Sequence, residues 1–469
     1  MDLDAKTGCG SVGREGLQRR HRNHGAIRLL LFAFVLLLGT VLLLTGLNYI
    51  AWPRRSVFRI VILCVGAFNL AWWVRADARL AAGGGRPAVV RWGRLALAAY
   101  AGLALLPLLG MIRGSLDWHA LPLPAVMWTQ LWYMLLMILV PIGAILGGAG
   151  WLLRPVRRAV SGESNDPPNP GRRAFLQRAA VTAPIAATGA ATVGALWQLG
   201  RFEVCRYEVG VPGLPERLRG LTLTHLSDLH VGRLFGVEDL CRAVDVANRL
   251  DSDIVVVTGD VVDHSNEVLP ETTAALLGLR HRYGLFLCLG NHDLIDDGAA
   301  YVEYVRDRGL TLLINERREL EIGGETVAIG GLQWTRRDVG TAQHPGHEEC
   351  VAAVFHEARA AVFSIALAHH PHAFDPLARR GVGLTLAGHT HGGQLMLTPP
   401  GWPEWGAGRL LFRYVRGFYA GDGSAPARPL PVARRVAPAG PLLFVNRGLG
   451  NWFPVRVNAG AEMVQIRLI

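Results

Sequence analysis

Five short stretches set carboxylate, amide and imidazole side chains at spacings that suit metal ions. They are Ser227-Asp228-Leu229-His230, Gly259-Asp260-Val261-Val262-Asp263, Gly290-Asn291-His292-Asp293, His369-His370-Pro371-His372 and Gly388-His389-Thr390-His391-Gly392-Gly393-Gln394. These are hard-to-borderline oxygen and nitrogen donors with no thiolate among them. The set therefore suits Mn, Fe, Zn or similar divalent ions rather than a structural cysteine site. There are too many donors for one ion. Two ions need roughly eight protein contacts, one of them a shared carboxylate. Two cations about 3.5–4 Å apart can clamp a phosphate, lower the pKa of a water between them and stabilise an in-line displacement. A nearby histidine can protonate the leaving oxygen. Any one of these motifs alone reads as a polar loop; their order and what precedes each carry the inference.

Each motif follows a short apolar run of strand length. The runs are residues 221–226, 254–257, 285–289, 363–368 and 384–387, read as buried strands. Residues 237–250 and 271–282 have the pattern of amphipathic helices, and 316–329 reads as a hairpin turning at Gly323-Gly324. Strands alternating with helices predict an α/β layered domain. In open α/β sheets, sites form at the carboxyl ends of strands, so several strand ends would deliver Asp, Asn and His to one rim. Gly388, Gly392 and Gly393 would let the backbone approach closely there.

The ordered set DxH, GDxxD, GNHD, H and GHTH resembles the calcineurin-like metallophosphoesterase superfamily, closest to its branch of membrane-attached phosphohydrolases. The resemblance runs over residues 209–469. It takes in Leu214-Pro215, Gly220-Leu221, the GGQ after GHTH, Arg416-Gly417-Phe418-Tyr419 and Asn446-Arg447-Gly448-Leu449-Gly450. It implies a four-layer αββα sandwich. It further implies that Asp228, His230 and His391 hold a first ion, that Asn291, His369 and His389 hold a second, and that Asp260 bridges both. His369 stands at the family position, ahead of His370. His292 would act unligated as general acid, oriented by Asp293, with Asp263 supporting the ligands from behind. Two departures bear on substrate: Gln333-Trp334 stands where relatives often have acidic residues, and Ala459-Gly460-Ala461-Glu462 lacks the common Pro-Glu. His225, His264, His281 and His344 are read as structural or surface residues.

The chain has 469 residues, 51% of them hydrophobic, so membrane spans must be sought first. Net charge is +11, and Lys6 is the only lysine. Basic chains meet nucleic acid or anionic lipid. Here the arginines flank apolar runs in the first 180 residues, which favours lipid; no nucleic-acid partner is expected. Cys9, Cys64, Cys205, Cys241, Cys288 and Cys350 form no CxxC pair, which argues against a zinc ribbon or redox dithiol.

Five apolar runs, 29–50, 60–74, 95–112, 126–153 and 179–199, are expected to span a bilayer, the second only if Arg59 and Arg75 snorkel. Arginines cluster before the first run, in the second loop and after the fourth, which places the N-terminus in the cytoplasm. Residues 161–171 form a polar, Pro-rich linker. The adjoining Arg172-Arg173-Ala174-Phe175-Leu176-Gln177 resembles an internal twin-arginine export signal; an ordinary Arg-flanked helix remains the other reading. Both place the residues after Gly200 outside the cytoplasm.

The expected organisation is therefore a four-span region at 1–160, a linker with a fifth span at 161–200 and the catalytic domain at 201–469, in a multi-pass cell-membrane protein. The expected activity is metal-dependent hydrolysis of a phosphoester or pyrophosphate, in a lipid or a lipid-linked nucleotide in the manner of UDP-2,3-diacylglucosamine hydrolases. The competing readings are a general nucleotide phosphodiesterase or phosphatase, a non-catalytic metal-binding receptor, and a transporter regulated by the domain. None of the five runs carries the buried Asp, Glu or Lys that marks a transport path.

Overall fold

The computed structural model describes residues 54–82, 86–113, 121–152, 170–335, 346–356, 362–398, 405–431 and 433–469. The chain divides into two compact units, with the boundary between Val193 and Gly194.

The first unit is helical. Helices α1 (Arg54–Ala82), α2 (Pro87–Arg113) and α3 (Leu123–Leu152) precede α4 (Pro170–Gln198), which runs into the second unit. Asn69 is fully buried and ties the first three together. It donates to the Ala101 carbonyl at 3.0 Å and accepts the Trp132 indole N–H at 3.0 Å. Inside an apolar bundle such a polar link fixes which faces meet. Trp72 and Tyr100 pack edge-on against the Trp132 ring at 4.6 and 5.0 Å.

Among the described residues three stretches are long and apolar enough to cross a membrane: Pro87–Leu105, Leu123–Leu146 and Ala174–Gln198. The run at 29–50 lies outside the described residues. The run at 60–74 does form a helix, α1, but α1 is not among the three. Its apolar stretch is cut short by Arg75, Asp77 and Arg79. Of the four expected runs that fall among the described residues, length and composition support three.

The second unit is built on two seven-stranded sheets. The strands are β1 (Glu203–Val209), β2 (Thr222–Leu226), β3 (Ile254–Thr258), β4 (Gly284–Cys288), β5 (Thr311–Leu313), β6 (Glu316–Ile322) and β7 (Glu325–Gly331). They continue with β8 (Phe363–Leu367), β9 (Leu384–Ala387), β10 (Gly417–Ala420), β11 (Arg428–Pro429), β12 (Arg435–Val436), β13 (Leu442–Val445) and β14 (Glu462–Leu468). The first sheet runs β12-β1-β14-β2-β3-β4-β5 and the second β11-β10-β13-β9-β8-β7-β6.

The two-residue period of a strand explains how the sheets stack. On β3, Ile254 and Val256 join a core shared with Val327, Ile365, Leu384 and Phe444 of the second sheet. Their neighbours Val255 and Val257 face the other way, onto helices α5 (Val237–Arg249), α6 (Leu269–Leu277) and α7 (Gly298–Asp307). Leu240, Ala243, Val244 and Ala247 line the inner stripe of α5 at helical spacing. On the far face of the second sheet, Ala366 packs against Val351 and Leu377 of α8 (His347–Phe355) and α9 (Phe374–Arg379). The order of layers is helix, sheet, sheet, helix.

Strands β2, β3, β4 and β5 are mutually parallel, as are β7, β8, β9 and β13. Their carboxyl ends therefore emerge together, and the five motifs begin there. The loop after β13 closes over them: Leu449 and Gly450 N–H donate to the carbonyls of Ser227 and Asp228 at 3.0 and 2.8 Å. A Cβ on Gly450 would overlap the Leu229 carbonyl. Gly450→Ala is expected to cost about 1–3 kcal/mol through forced backbone displacement, read as a lower melting temperature of the detergent-solubilised chain. Gly460→Ala, where a Cβ meets nothing within 4 Å, should leave the melting temperature unchanged.

Candidate metal centre

The backbone at the strand ends is held in an uncommon conformation. Asp228, His230, Asp260, His389 and His391 have φ of 50°, 44°, 51°, 71° and 50°. Non-glycine residues rarely occupy this left-handed region, and such strain gathers at functional sites. The loops persist because they satisfy one another. Asp228 N–H donates to the Gly259 carbonyl at 3.1 Å, His230 N–H to Asp260 at 2.9 Å, and His389 N–H to the Asp228 carboxylate at 2.9 Å. Gly388 has to be glycine, because a Cβ there would overlap Ser227 Oγ.

Two groups of donors result. Asp228, His230 and His391 converge in one, and Asp260, His369 and His389 in the other; in each, one potential ligand atom per residue lies within 4.8 Å of the others. Asp260 Oδ2 faces both, 3.5 Å from His230 Nε2 and 3.2 Å from His369 Nε2.

The protons can be placed by elimination. His369 Nδ1 donates to the Thr258 carbonyl at 2.7 Å and His230 Nδ1 to Asp263 Oδ1 at 3.1 Å. In the neutral rings both Nε2 atoms are then left with lone pairs aimed at a carboxylate. His369 Nε2 and Asn291 Oδ1 are buried without a hydrogen-bond partner among the described residues; the 3.2 Å approach of His369 to Asp260 lacks hydrogen-bond alignment. Buried acceptors facing one another need positive charge between them. A divalent cation fits that requirement, and the donor set is one such ions accept.

Without an ion, protons answer the same need. Burial pushes the His369 imidazole down, but the Asp260 charge outweighs it and lifts its pKa to about 9. Burial likewise raises Asp260, and His369, His230 and His292 more than reverse this, holding it well below the usual carboxylate range. Asp228 is raised by burial. His389 is pushed down to about 3 by burial and the neighbouring His369.

His292 sits beside these groups, its ring centroid 4.5 Å from that of His230. Its Nδ1 donates to the Asp263 backbone carbonyl at 2.6 Å, and its N–H donates to Asp260 Oδ1 at 2.8 Å. Burial lowers its pKa, but the Asp263 hydrogen bond and the Asp260 charge outweigh that and raise it. His292 is thus bonded to Asp263, and the Asp293 expected beside it is bonded elsewhere. The Asp293 carboxylate is taken up by backbone N–H groups of Asp260, Val261, Val262 and Gly290 at 3.0, 2.7, 3.3 and 2.8 Å. It pins the second motif loop to the third. Burial and the Asp260 charge lift its pKa to about 6.

Three contacts around the donor groups have no counterpart in the motif spacing. Arg456 is buried and donates to His391 Nδ1 at 3.0 Å and to the carbonyls of Arg447 and Gly450 at 2.6 Å each. A guanidinium can only donate, so the neutral His391 ring carries its proton on Nε2 and donates it in a hydrogen bond to His230 Nε2 at 2.9 Å. Trp334, noted only as a departure, packs on His389 and His369 with centroids 4.8 and 5.4 Å apart. His370 belongs to neither donor group; its ring packs on those of His347, His372 and the donor His389 at 5.3, 4.7 and 5.1 Å. A further cluster of Glu203, Cys205 and Glu462 is not a metal site, because the Arg447 guanidinium fills it, 2.7 Å from Glu462 and 3.7 Å from Cys205 Sγ. His225 is buried against Thr258 at 2.8 Å and His264 is an exposed partner of Asp263 at 2.7 Å; His344 lies outside the described residues.

Comparison with known proteins agrees with this geometry. The calcineurin-like phosphoesterase model matches residues 221–393, which span all five motifs. A zebrafish (Danio rerio) "Transmembrane protein with metallophosphoesterase domain" is 32% identical over 199 residues, 41% of this chain and 45% of that one. Its bovine (Bos taurus) namesake is 28% identical over 275 residues, 56% of each chain. The Bacillus subtilis metallophosphoesterase YkuE is 28% identical over 304 residues, 60% of this chain and 93% of that one. The matched segment thus spans about half of the two vertebrate relatives. Residues 221–393 of this chain are thus similar to calcineurin-like phosphoesterase domains.

Proposed function

We propose that this protein is a membrane-anchored phosphoesterase that uses two divalent ions to hydrolyse a phosphoester or pyrophosphate bond, in a lipid or a lipid-linked nucleotide. The observation that carries this is Asp260 Oδ2, flanked by Nε2 lone pairs from both donor groups. Asp228, His230 and His391 would hold one ion, Asn291, His369 and His389 the other, and Asp260 both. Ions of the Mn, Fe or Zn class would supply Lewis acidity and a water acidified enough to attack phosphorus at neutral pH.

The protein side chains do the rest. Asp263 receives His230 Nδ1–H on its carboxylate and His292 Nδ1–H on its carbonyl, which turns both rings. Since His292 Nδ1 is committed there and its pKa is raised, the proton it can give away sits on Nε2. That proton goes to the leaving alkoxide. Asp293 touches no substrate; it is a positioning residue acting through the loop amides it gathers. Trp334, edge-on to His369 and tilted against His389, walls one side of the site. Support for a lipid-borne substrate comes from the tether: helix α4 leads directly into this unit, and two relatives are named transmembrane proteins.

Asp260→Asn should bring metal content below two ions per chain and abolish hydrolysis of bis(p-nitrophenyl) phosphate. Two retained ions with normal turnover would overturn the ligand assignment. His292→Ala should keep both ions and slow turnover by roughly 10²–10⁴, the usual contribution of a positioned acid. The loss should shrink for nitrophenol relative to an alkyl leaving group; equal losses would remove the acid role.

Sidedness decides which substrate pool the site meets, and the arginine distribution favours the extracytoplasmic side. Alkaline phosphatase fused after Ile469 should be active. Arg172→Lys with Arg173→Lys keeps the charge; it should trap the domain inside if the pair is an export signal and have no effect if it only flanks a helix. An inactive fusion to the unaltered chain would return the domain to the cytoplasm and point to a cytoplasmic lipid precursor.

A further inference from the structure

The segment after the GHTH-GGQ motif carries a surface that phosphoester chemistry does not use. Leu397, Trp405, Leu410 and Leu411 are 80%, 68%, 88% and 74% exposed, and Trp452 is 50% exposed. They are not scattered. Leu397 N–H donates to the Trp405 carbonyl at 2.8 Å, Leu395 pairs with Val457, and Gln394 Nε2 donates to the Phe453 carbonyl at 2.8 Å. Leu410 and Leu411 end a short helix, Ala407–Leu411. The next residue, Phe412, turns inward until its ring lies 5.2 Å from that of His389. The result is one apolar rim beside the metal centre. Contiguous exposed apolar surface of this kind marks an interaction site.

A second observation identifies the partner. The rim shares its loop with the point where the chain enters this unit. Gln198, the last residue of α4, accepts the Arg456 N–H on Oε1 at 3.4 Å, and Val457 is the next residue. The residue before Gln198, Trp197, is 65% exposed, with the Arg201 guanidinium 4.1 Å above its ring. An exposed Trp with an Arg at the end of a 25-residue apolar helix is the arrangement favoured at a membrane–water interface. The rim is thus hydrogen-bonded to the very residue at which the apolar helix ends. Exposed Arg409 adds a cation beside the leucines, suited to anionic headgroups.

We propose that Leu397, Trp405, Leu410 and Leu411, together with Trp452 and Val457, rest in the interfacial layer of the lipid bilayer as a second contact beside the helical anchor. Because the anchor already confines the unit to the membrane, a small patch suffices: its insertion is intramolecular and needs little affinity of its own. The opening beside His389 would then face the headgroup layer. This goes beyond the phosphoesterase reading and does not depend on it.

The test uses the full chain in vesicles of phosphatidylcholine and phosphatidylglycerol, with its accessible native cysteines replaced by serine. Spin labels are placed by Trp405→Cys, Leu410→Cys and Leu411→Cys, and by Leu277→Cys as a control on α6, 49% exposed. Three separate sites guard against one variant misfolding, and a melting curve checks each. The expected result is a shift of collision accessibility toward oxygen and away from a water-soluble nickel chelate at 405, 410 and 411, with the opposite preference at 277. Equal nickel access at all four sites would overturn the proposal. So would shielding from both reagents at the rim, which means that protein, such as a second copy of the chain, covers it. The readout is independent of turnover, so it can fail while the catalytic reading stands, and the reverse.

Discussion

One buried carboxylate, Asp260, constrains the architecture around it. It lies at the end of β3, in the middle of the parallel run of the first sheet, and its Oδ2 meets a ring from its own sheet and one from the other. A carboxylate so placed cannot stay charged unless positive charge joins it. His230 and His369 present lone pairs rather than protons when neutral, because their Nδ1 atoms are spent on Asp263 and Thr258. The fold has therefore fixed the tautomers of the rings before any cation arrives, which is what a hard divalent ion requires of imidazole ligands.

The two-sheet construction follows from that constraint. Asp228, Asp260 and Asn291 follow strands of one sheet, while His369, His389 and His391 follow strands of the other. The shared apolar core of Ile254, Val256, Ile365 and Leu384 holds the two sets of carboxyl ends together. Left-handed backbone at Asp228, His230, Asp260, His389 and His391 turns each side chain back toward the rim. Each such residue costs of order 1–3 kcal/mol, and the loop-to-loop hydrogen bonds over-determine it: Asp293 alone gathers four amides from two loops.

Much of this was legible in the sequence, for a definite reason. The strands that carry the motifs are buried on both faces, so they read as mostly apolar runs, and the observed β2, β3, β4, β8 and β9 fall within a residue of their expected limits. The helix expected at 271–282 instead ends at Leu277, because Gly278 starts a turn fixed by Asn248, which donates to its carbonyl and accepts the Arg280 N–H. What stayed hidden was side-chain traffic over long sequence distances. Nothing near Arg456 marks it as the partner of His391, 65 residues away, and Asp263 and Asp293 are interchangeable in a motif string. Only the direction in which each carboxylate points separates the one that orients a ring from the one that gathers amides. The helical half was less legible, since α1 mixes apolar turns with Arg75, Asp77 and Arg79, and composition alone does not divide bundle packing from membrane crossing.

The distinction between those two aspartates links the two halves of the chemistry. Asp263 uses its carboxylate on His230 and its backbone carbonyl on His292, so a metal-facing ring and the proton-bearing ring hang from one residue. Their relative position is then set by the internal geometry of a single amino acid, with no flexible intermediary. His264, edge-on to His292 with centroids 5.2 Å apart and paired with Asp263 Oδ2 at 2.7 Å, closes the arrangement from the solvent side. A displaced Asp263 would move the acid and the ligand together, whereas a displaced Asp293 would loosen the loops that bring Asp260 to both rings. The acid and the metal site are in this sense one mechanical unit, carried by the turn after β3.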